Sequence, residues 1–178
     1  MAENKVYWFA ARTKKNQELA TRGALEKLGV EHFLPTQFMV RVLKDRSRNV
    51  EVPMIRNIIF VHATKQTACD IANKYSVRLY YMKDLFTRQM LVVPDKQMHD
   101  FMFVMNLMPE KVCFENQLLT LGASVQVIKG ELCGIEGELA SLENHIYVVI
   151  HIKGVLSASI RIPRDYLRVI SPKNVIIR

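Results

Sequence analysis

Two clusters of cations in this 178-residue chain have the composition to grip a polyanion. Arg12, Lys14 and Lys15 stand together and run directly into Asn16 and Gln17, while Arg41, Lys44, Arg46 and Arg48 crowd a second short stretch in which Asp45 is the only acid. Clustered Arg and Lys neutralise phosphates and release their counterions, which gives salt-sensitive contacts that carry no base sequence information. The plainer alternative for each cluster is a solvated turn.

Covalent and metal chemistry find less support. His32, His62, His99, His145 and His151 are scattered, without an HExxH pattern or a neighbouring set of carboxylates. Cys69, Cys113 and Cys133 are odd in number and far apart, which fits neither a disulfide framework nor paired zinc-ligand spacing and points to a reducing cytoplasm. A buried structural role is the default for each. Gly130, Gly134 and Gly137 lie within "VIKGELCGIEGEL", but no Lys-Ser/Thr follows to complete a phosphate-binding loop. We expect no enzyme, no metal and no cofactor. Nor do we expect a membrane partner: the run "VYWFAA" is short and ends at Arg12, and nothing approaches the roughly 18 apolar residues of a spanning helix.

The net charge of +8 is unevenly spread. Residues 1–107 hold 17 Lys and Arg against 10 Asp and Glu, whereas residues 121–178 hold 7 against 5. The first part therefore carries most of the field that draws in a polyanion.

The elements that must position these residues follow from periodicity. "VYWFAAR" reads as a strand. Ala20, Ala24, Leu25 and Leu28 then share one face of a helix, with Asn16 as the expected N-cap and Gly29 as the left-handed C-cap. "HFLPTQFMVRVL" is extended, the charged turn "KDRSRN" leads into "VEVP" as a hairpin, and "IIFVHA" is a further strand. Ala68, Ile71, Ala72 and Tyr75 mark a second helix capped by Thr64. After the strand pieces "VRLYYM" and "MLVVP", Met98, Phe101, Met102 and Met105 mark a third helix, stopped by Pro109. Residues 108–120 read as a connector whose apolar content suits lying against a domain. From Ala123 onward the short strands "SVQVIKG", "EGELASL", "IYVVIHI", "ASIRIP" and "LRVI" favour a small closed barrel that is β in its resting form. The expected organisation is α+β: an antiparallel sheet flanked by helices over 1–107, a linker over 108–120, and a small all-β barrel over 121–178.

The glycine pattern of "VQVIKGELCGIEGELASL" resembles the KOW motif of small SH3-like barrels. "WFAARTKKNQE" with the helix and "GVEHFLP" after it, "VPMIRNIIFV", and "MLVVPDKQMHDF" resemble, in order, the N-terminal domain of NusG-family transcription elongation factors. "SIRIPRDYLRVI" is similar to the closing strands of the KOW barrel. The resemblance covers nearly the whole chain and leans toward specialised paralogues such as RfaH. Arg56, Asn57 and Ile58 stand where the family has a proline, a small residue and a tyrosine, and Asn57 can still make the turn.

The resemblance implies a cytoplasmic elongation or antitermination factor whose N-terminal domain docks on the clamp of RNA polymerase and suppresses pausing or termination. It puts Trp8, Ile58 and Phe60 on the polymerase-facing side of the sheet, where docking calls for an exposed apolar patch. It turns Arg12, Lys14, Lys15, Asn16 and Gln17 toward the non-template DNA strand, with Arg78 nearby, and the hairpin carrying Arg41, Lys44, Arg46 and Arg48 toward upstream DNA. Gly130, Gly134 and Gly137 would shape a KOW domain that recruits a ribosomal protein or a termination factor. A rival reading is an RNA- or ribosome-binding KOW protein without polymerase binding. It calls for the positive field on the barrel, whereas the charge lies mainly on the other half.

Overall fold

A computed structural model of the chain describes residues 5–43, 46–114, 120–142 and 145–171. It divides into two compact units, Met1–Asp95 and Lys96–Arg178. The division falls at the start of the third helix, so that helix, expected to close the first domain, groups with the second unit.

The first unit begins with β1 (Val6–Thr13) and α1 (Glu18–Lys27), followed by β2 (Glu31–Phe33), β3 (Thr36–Leu43), β4 (Arg46–Pro53) and β5 (Ile58–Thr64). It continues through α2 (Lys65–Asn73), β6 (Leu79–Tyr81) and β7 (Val92–Val93). β1 lies at the centre of an antiparallel sheet ordered β2-β5-β1-β6, with β7 also paired to β1. Alternation along β1 and β5 sends Phe9, Ala11, Ile59, Val61 and Ala63 to one face, where they join Leu25 of α1 and Ala68 and Ile71 of α2 in a buried core.

The local signals explain where the helices stop and start. Gly29, at φ 65°, closes α1: its amide and that of Val30 donate to the carbonyls of Glu26 and Leu25, a Schellman arrangement. Thr64 caps α2 by accepting from the Thr67 amide at 3.1 Å. Asn16 does not cap α1. It sits at φ 59° in the turn, and Gln17 occupies the cap position without a side-chain bond. Asn tolerates the left-handed region, so the turn takes that capacity instead.

β3 and β4 form their own two-stranded ladder, with Arg41 opposite Arg48 and Leu43 opposite Arg46. Arg46–Asn49 of the charged stretch expected as a turn thus belong to strand β4, and Arg46 and Arg48 lie on the ladder. The root of the ladder is tied to α1. Arg22 donates to both Glu51 oxygens at 2.5 and 2.8 Å, and the Thr36 hydroxyl donates to Oε1 at 2.7 Å.

The second unit contains α3 (Asp95–Leu107, from Lys96 onward), a 3-10 turn at Pro109–Lys111, and the strands β8 (Val112–Cys113), β9 (Thr120–Val127), β10 (Glu136–Leu142), β11 (His145–Ile152), β12 (Leu156–Arg161) and β13 (Leu167–Ser171). α3 buries Met98, Phe101, Val104 and Met105. The strands follow the antiparallel order β13-β9-β10-β11-β12-β8, the small SH3-like KOW barrel. Part of the stretch read as a connector is therefore a barrel strand, since Val112 and Cys113 pair with Ile160 and Ser159.

The glycines of the β9–β10 loop are needed for two different reasons. Gly130 and Gly134 have φ of 79° and 97°. Gly137 instead lies where β10 meets β11: a Cβ there would stand 2.5 Å from the Val149 carbonyl oxygen and 2.7 Å from a Val148 methyl.

Two predictions follow from this packing. Gly137→Ala should destabilise the second unit by about 3 kcal/mol, the upper range for overpacking, because backbone must move. Gly23→Ala, on an open stretch of α1 with nothing within 4 Å of the added methyl, should stabilise by roughly 0.5–1 kcal/mol. Chemical denaturation of the two variants beside the parent checks both. The hydrogen bonds from Arg22, then from Thr36, lower Glu51 from 4.5 to about 2. A carboxylate with a depressed folded value adds stability above its unfolded value and loses it as pH falls through the folded one. Glu51→Gln should cost roughly 1–2 kcal/mol at pH 7, given charge-assisted bonds in partial contact with solvent. The difference from wild type should shrink as pH falls from 4.5 to about 2, read from denaturation midpoints.

Candidate functional site

The register of β1 on β5 places Trp8 opposite His62, Ala10 opposite Phe60 and Arg12 opposite Ile58. These residues share the sheet face opposite the helix-covered core. Trp8 stacks on the His62 ring at 4.6 Å between centroids and 15° between planes. His62 Nδ1 in turn meets Glu31 Oε2 at 2.5 Å. The strands thus bring Trp8, Ile58 and Phe60 together, but the face is not an open patch in this conformation: their exposures are 7, 7 and 0%. The near-continuous apolar runs "WFAA" and "IIFV" are the sequence signal for a strand pair covered on both sides.

At the far end of β1 the chain turns outward. Arg12, Lys14, Lys15, Asn16 and Gln17 are all exposed. The turn is fixed from within. Glu18, in the first turn of α1, is buried and accepts the Asn57 amide at 2.9 Å, and the Thr13 amide donates to the Asn57 carbonyl at 3.1 Å. Asn57 itself takes φ 59°, so it does make the turn expected of it. Glu18 therefore points its charge inward and leaves the surface of the corner to the cations.

Arg78 joins this corner. It lines a cleft of about 220 Å³ with Gln17, Thr21, Tyr75 and Ser76. None of Arg12, Lys14, Lys15 or Arg78 has an ion-pair partner among the described residues. Two exposed aromatics stand here as well: Tyr80, opposite Arg12 across the β1–β6 pairing, and Tyr75. Helical spacing puts Tyr75 in one stripe with Ala68, Ile71 and Ala72, but α2 ends at Asn73, and Tyr75 beyond it is exposed. Unpaired cations beside exposed aromatic rings can hold a nucleic-acid backbone and stack its bases.

The β3–β4 ladder is the second cationic surface. Arg41 and Arg48 face each other directly, an arrangement that is unfavourable by itself and relieved by a bound anion. Arg46 is exposed nearby, and Lys44 lies outside the described residues. Phe38, Val40 and Val42 line the other side of β3 and are largely exposed. A further exposed apolar pair, Leu85 and Phe86, tops a tight turn in which Asp84 Oδ1 accepts the amides of Phe86 and Thr87 at 2.9 Å.

In the second unit, Gly130, Gly134 and Gly137 shape the β9–β10 loop, whose Leu132 and Ile135 are buried. His151 bridges three strands, with Nδ1 at 2.8 Å from Ser157 Oγ and Nε2 at 3.0 Å from Glu138 Oε2. The trio satisfies its own hydrogen bonds across the sheet, as a structural clasp does. Cys69, Cys113 and Cys133 are exposed, which corrects the expectation that they are buried. They lie on a helix, a short strand and a loop whose outer positions reach solvent. Among the described residues no three His, Cys, Asp or Glu side chains gather to hold a metal, and no helix is long and apolar enough to cross a membrane.

Residues 6–102 match the family described as transcription termination factor NusG. The solved structure of NusG from Thermotoga maritima, described for its domain interaction, aligns with 94% of this chain and 98% of its own at a TM-score of 0.50 and 17% identity. At that identity the likeness speaks for the fold, an N-terminal NusG-type domain followed by a KOW barrel. No curated protein sequence matches the chain. The family match spans more than half of the chain, and with the sheet, the corner and the barrel in family order the chain belongs to the NusG family of transcription factors.

Proposed function

We propose that the chain is a transcription elongation or antitermination factor that binds RNA polymerase through its N-terminal domain and suppresses pausing or termination. NusG-family proteins generally act with RNA polymerase, and residues 1–107 are the domain assigned to that contact, in keeping with a family match that ends at residue 102. The KOW domain, with residues 121–178 as its main part and β8 of the 108–120 stretch paired to it, recruits a second partner, a ribosomal protein or a termination factor. Trp8, Ile58 and Phe60 make the clamp contact. Since their face is buried in this conformation, the polymerase-bound form must expose it.

One observation carries the nucleic-acid part of this reading. Arg12, Lys14, Lys15 and Arg78 stand without ion-pair partners among the described residues around exposed Tyr75 and Tyr80, at one end of the sheet that the family match covers. A strand of exposed non-template DNA needs both features, phosphate neutralisation and stacking surfaces. The N-terminal end of α1 and its dipole reinforce attraction for phosphate. The corner suits the specialised, RfaH-like members, and the Arg41–Arg48 ladder suits upstream duplex DNA.

Binding of the full chain to purified bacterial core polymerase, and to an elongation complex with an exposed non-template strand, tests the reading. The triple variant Lys14→Glu, Lys15→Glu, Arg78→Glu alters exposed side chains only, so its melting temperature should match wild type. It should bind core polymerase normally and the elongation complex more weakly. The slope of log affinity against log salt should fall by about 2, as expected for three lost single-strand phosphate contacts. Failure of folded wild type to bind polymerase would sink the proposal. Unchanged binding of the triple variant to the elongation complex would remove the corner from it.

A further inference from the structure

The first unit carries a cleft that the polymerase and DNA contacts proposed above leave unused. It has a volume of about 510 Å³, within the usual range for small-molecule sites, and is lined by Tyr7, Lys65, Cys69, Gln89, Met90 and Val92. Tyr7 stands near the start of β1, on the helix-covered side with Phe9 and at the opposite end of the strand from Arg12. The cleft is therefore separate from the cationic corner and from the sheet face of Trp8, Ile58 and Phe60. Two exposed cations flank it: the Lys5 and Lys65 ammoniums lie 5.4 and 5.8 Å from the centroid of the Tyr7 ring. Like charges gathered at one ring repel each other, and the negative face of the ring offsets only part of that cost. A carboxylate bound between them offsets the rest.

One wall of the cleft is α2, fixed at its start by the Thr64 cap, which presents Lys65 and, one turn on, Cys69. The other is the segment leading into β7. There the Asp84 amide donates to the Gln89 carbonyl at 2.9 Å, the Leu91 amide donates to the Met82 carbonyl at 2.8 Å, and Val92 pairs with Phe9. Beneath these walls the packing is aromatic. Tyr7 meets Phe9 at 6.0 Å between centroids, and Phe9 meets Tyr81 edge-on at 5.8 Å. The Tyr81 hydroxyl is shut off from solvent and has no hydrogen-bond partner among the described residues. Burial, and then the charge of neighbouring Cys69, raise its pKa. The cleft thus joins paired cations, an aromatic surface and a thioether, with an orphaned hydroxyl close to its exposed thiol.

We propose that this cleft binds a small aromatic carboxylate, with its acid group on Lys5 and Lys65 and its ring against Tyr7 and Met90. Ammonium–carboxylate hydrogen bonds are the strong ones, and they fix the charged end of the ligand. Tyrosine and thioether surfaces favour a planar ring over a saturated one, through offset ring packing and sulfur–ring contacts. A simple inorganic anion would use the lysines and leave Met90 and Val92 uncovered. A saturated acid would forgo the ring contacts. The site does not depend on polymerase contact, so either proposal can fail while the other stands.

The test uses the full chain, with naphthoate as the probe and the exposed cysteines as reporters of location. Calorimetric titration should show saturable one-to-one binding. Naphthoate should slow alkylation of Cys69 and leave Cys113 and Cys133, both in the second unit, unaffected. The double variant Lys5→Gln, Lys65→Gln changes exposed side chains only, so it should melt with wild type and bind naphthoate roughly tenfold more weakly or worse. Cys69→Tyr fills the cleft from an exposed helix position and should abolish binding with both lysines in place, which separates loss of room from loss of charge. The proposal is overturned if naphthoate fails to saturate at millimolar concentration, if its affinity survives loss of both lysines, or if Cys69 is protected no better than Cys113 and Cys133. Naphthol binding as tightly as naphthoate would remove the carboxylate from the proposal, and cyclohexanecarboxylate binding as tightly would remove the ring. Either result overturns it, as does equal protection of Cys69 by inorganic phosphate.

Discussion

The antiparallel pairing of β1 with β5, from Val6 opposite Thr64 to Arg12 opposite Ile58, is the constraint on which the first unit depends. Because side chains alternate across a strand, this register decides everything on both faces at once. It sends Phe9, Ala11, Ile59 and Val61 under the helices and Trp8, Ala10, Ile58 and Phe60 to the other side. A slip of one residue would exchange the two sets. The same pairing ends at Arg12, and the Asn57 turn held between Thr13 and Glu18 fixes where the chain leaves the sheet. The cationic corner is therefore a consequence of sheet register.

The hairpin is held by a different kind of interaction. Its exposed apolar and basic side chains contribute little to folding, and among the described residues the ladder pairs with no third strand. Arg22, Glu51 and Thr36 fasten its root to α1 through directed, charge-assisted bonds. Such a design leaves the outer part of the ladder available for contacts while fixing the direction in which it projects. The barrel relies on backbone proximity instead. At Gly137 the strands approach too closely for any side chain, and the loop before it needs the left-handed glycines to bring Leu132 and Ile135 back inside.

Much of this was legible in the sequence because it depends on neighbours in the chain. The β1 and β5 runs, the Thr64 cap, the Gly29 stop and the apolar stripe of α3 are all local signals, and the family pattern in "WFAARTKKNQE" and "VQVIKGELCGIEGEL" rests on them. What could not be read depends on distance. The Arg22–Glu51 clasp joins residues 29 apart, and β8 is a two-residue strand that periodicity cannot detect. Alternation grouped Trp8, Ile58 and Phe60 but did not say whether their face was covered. Asn16 offered two capacities, cap or left-handed turn, and only the packed corner selects one. Lys111, Arg161 and Arg164 look like ordinary surface charge until the pairing of β8 with β12 brings them to line one cleft of the second unit.

Whether this chain acts on a transcribing polymerase is decided by single-turnover transcription on a template with a defined pause. Added to a synchronised elongation complex made with purified bacterial polymerase, the chain should shorten the dwell time at the pause and raise the fraction of complexes that read through. An unchanged dwell time at concentrations that saturate the polymerase would contradict the account and leave a NusG-type fold serving some other task.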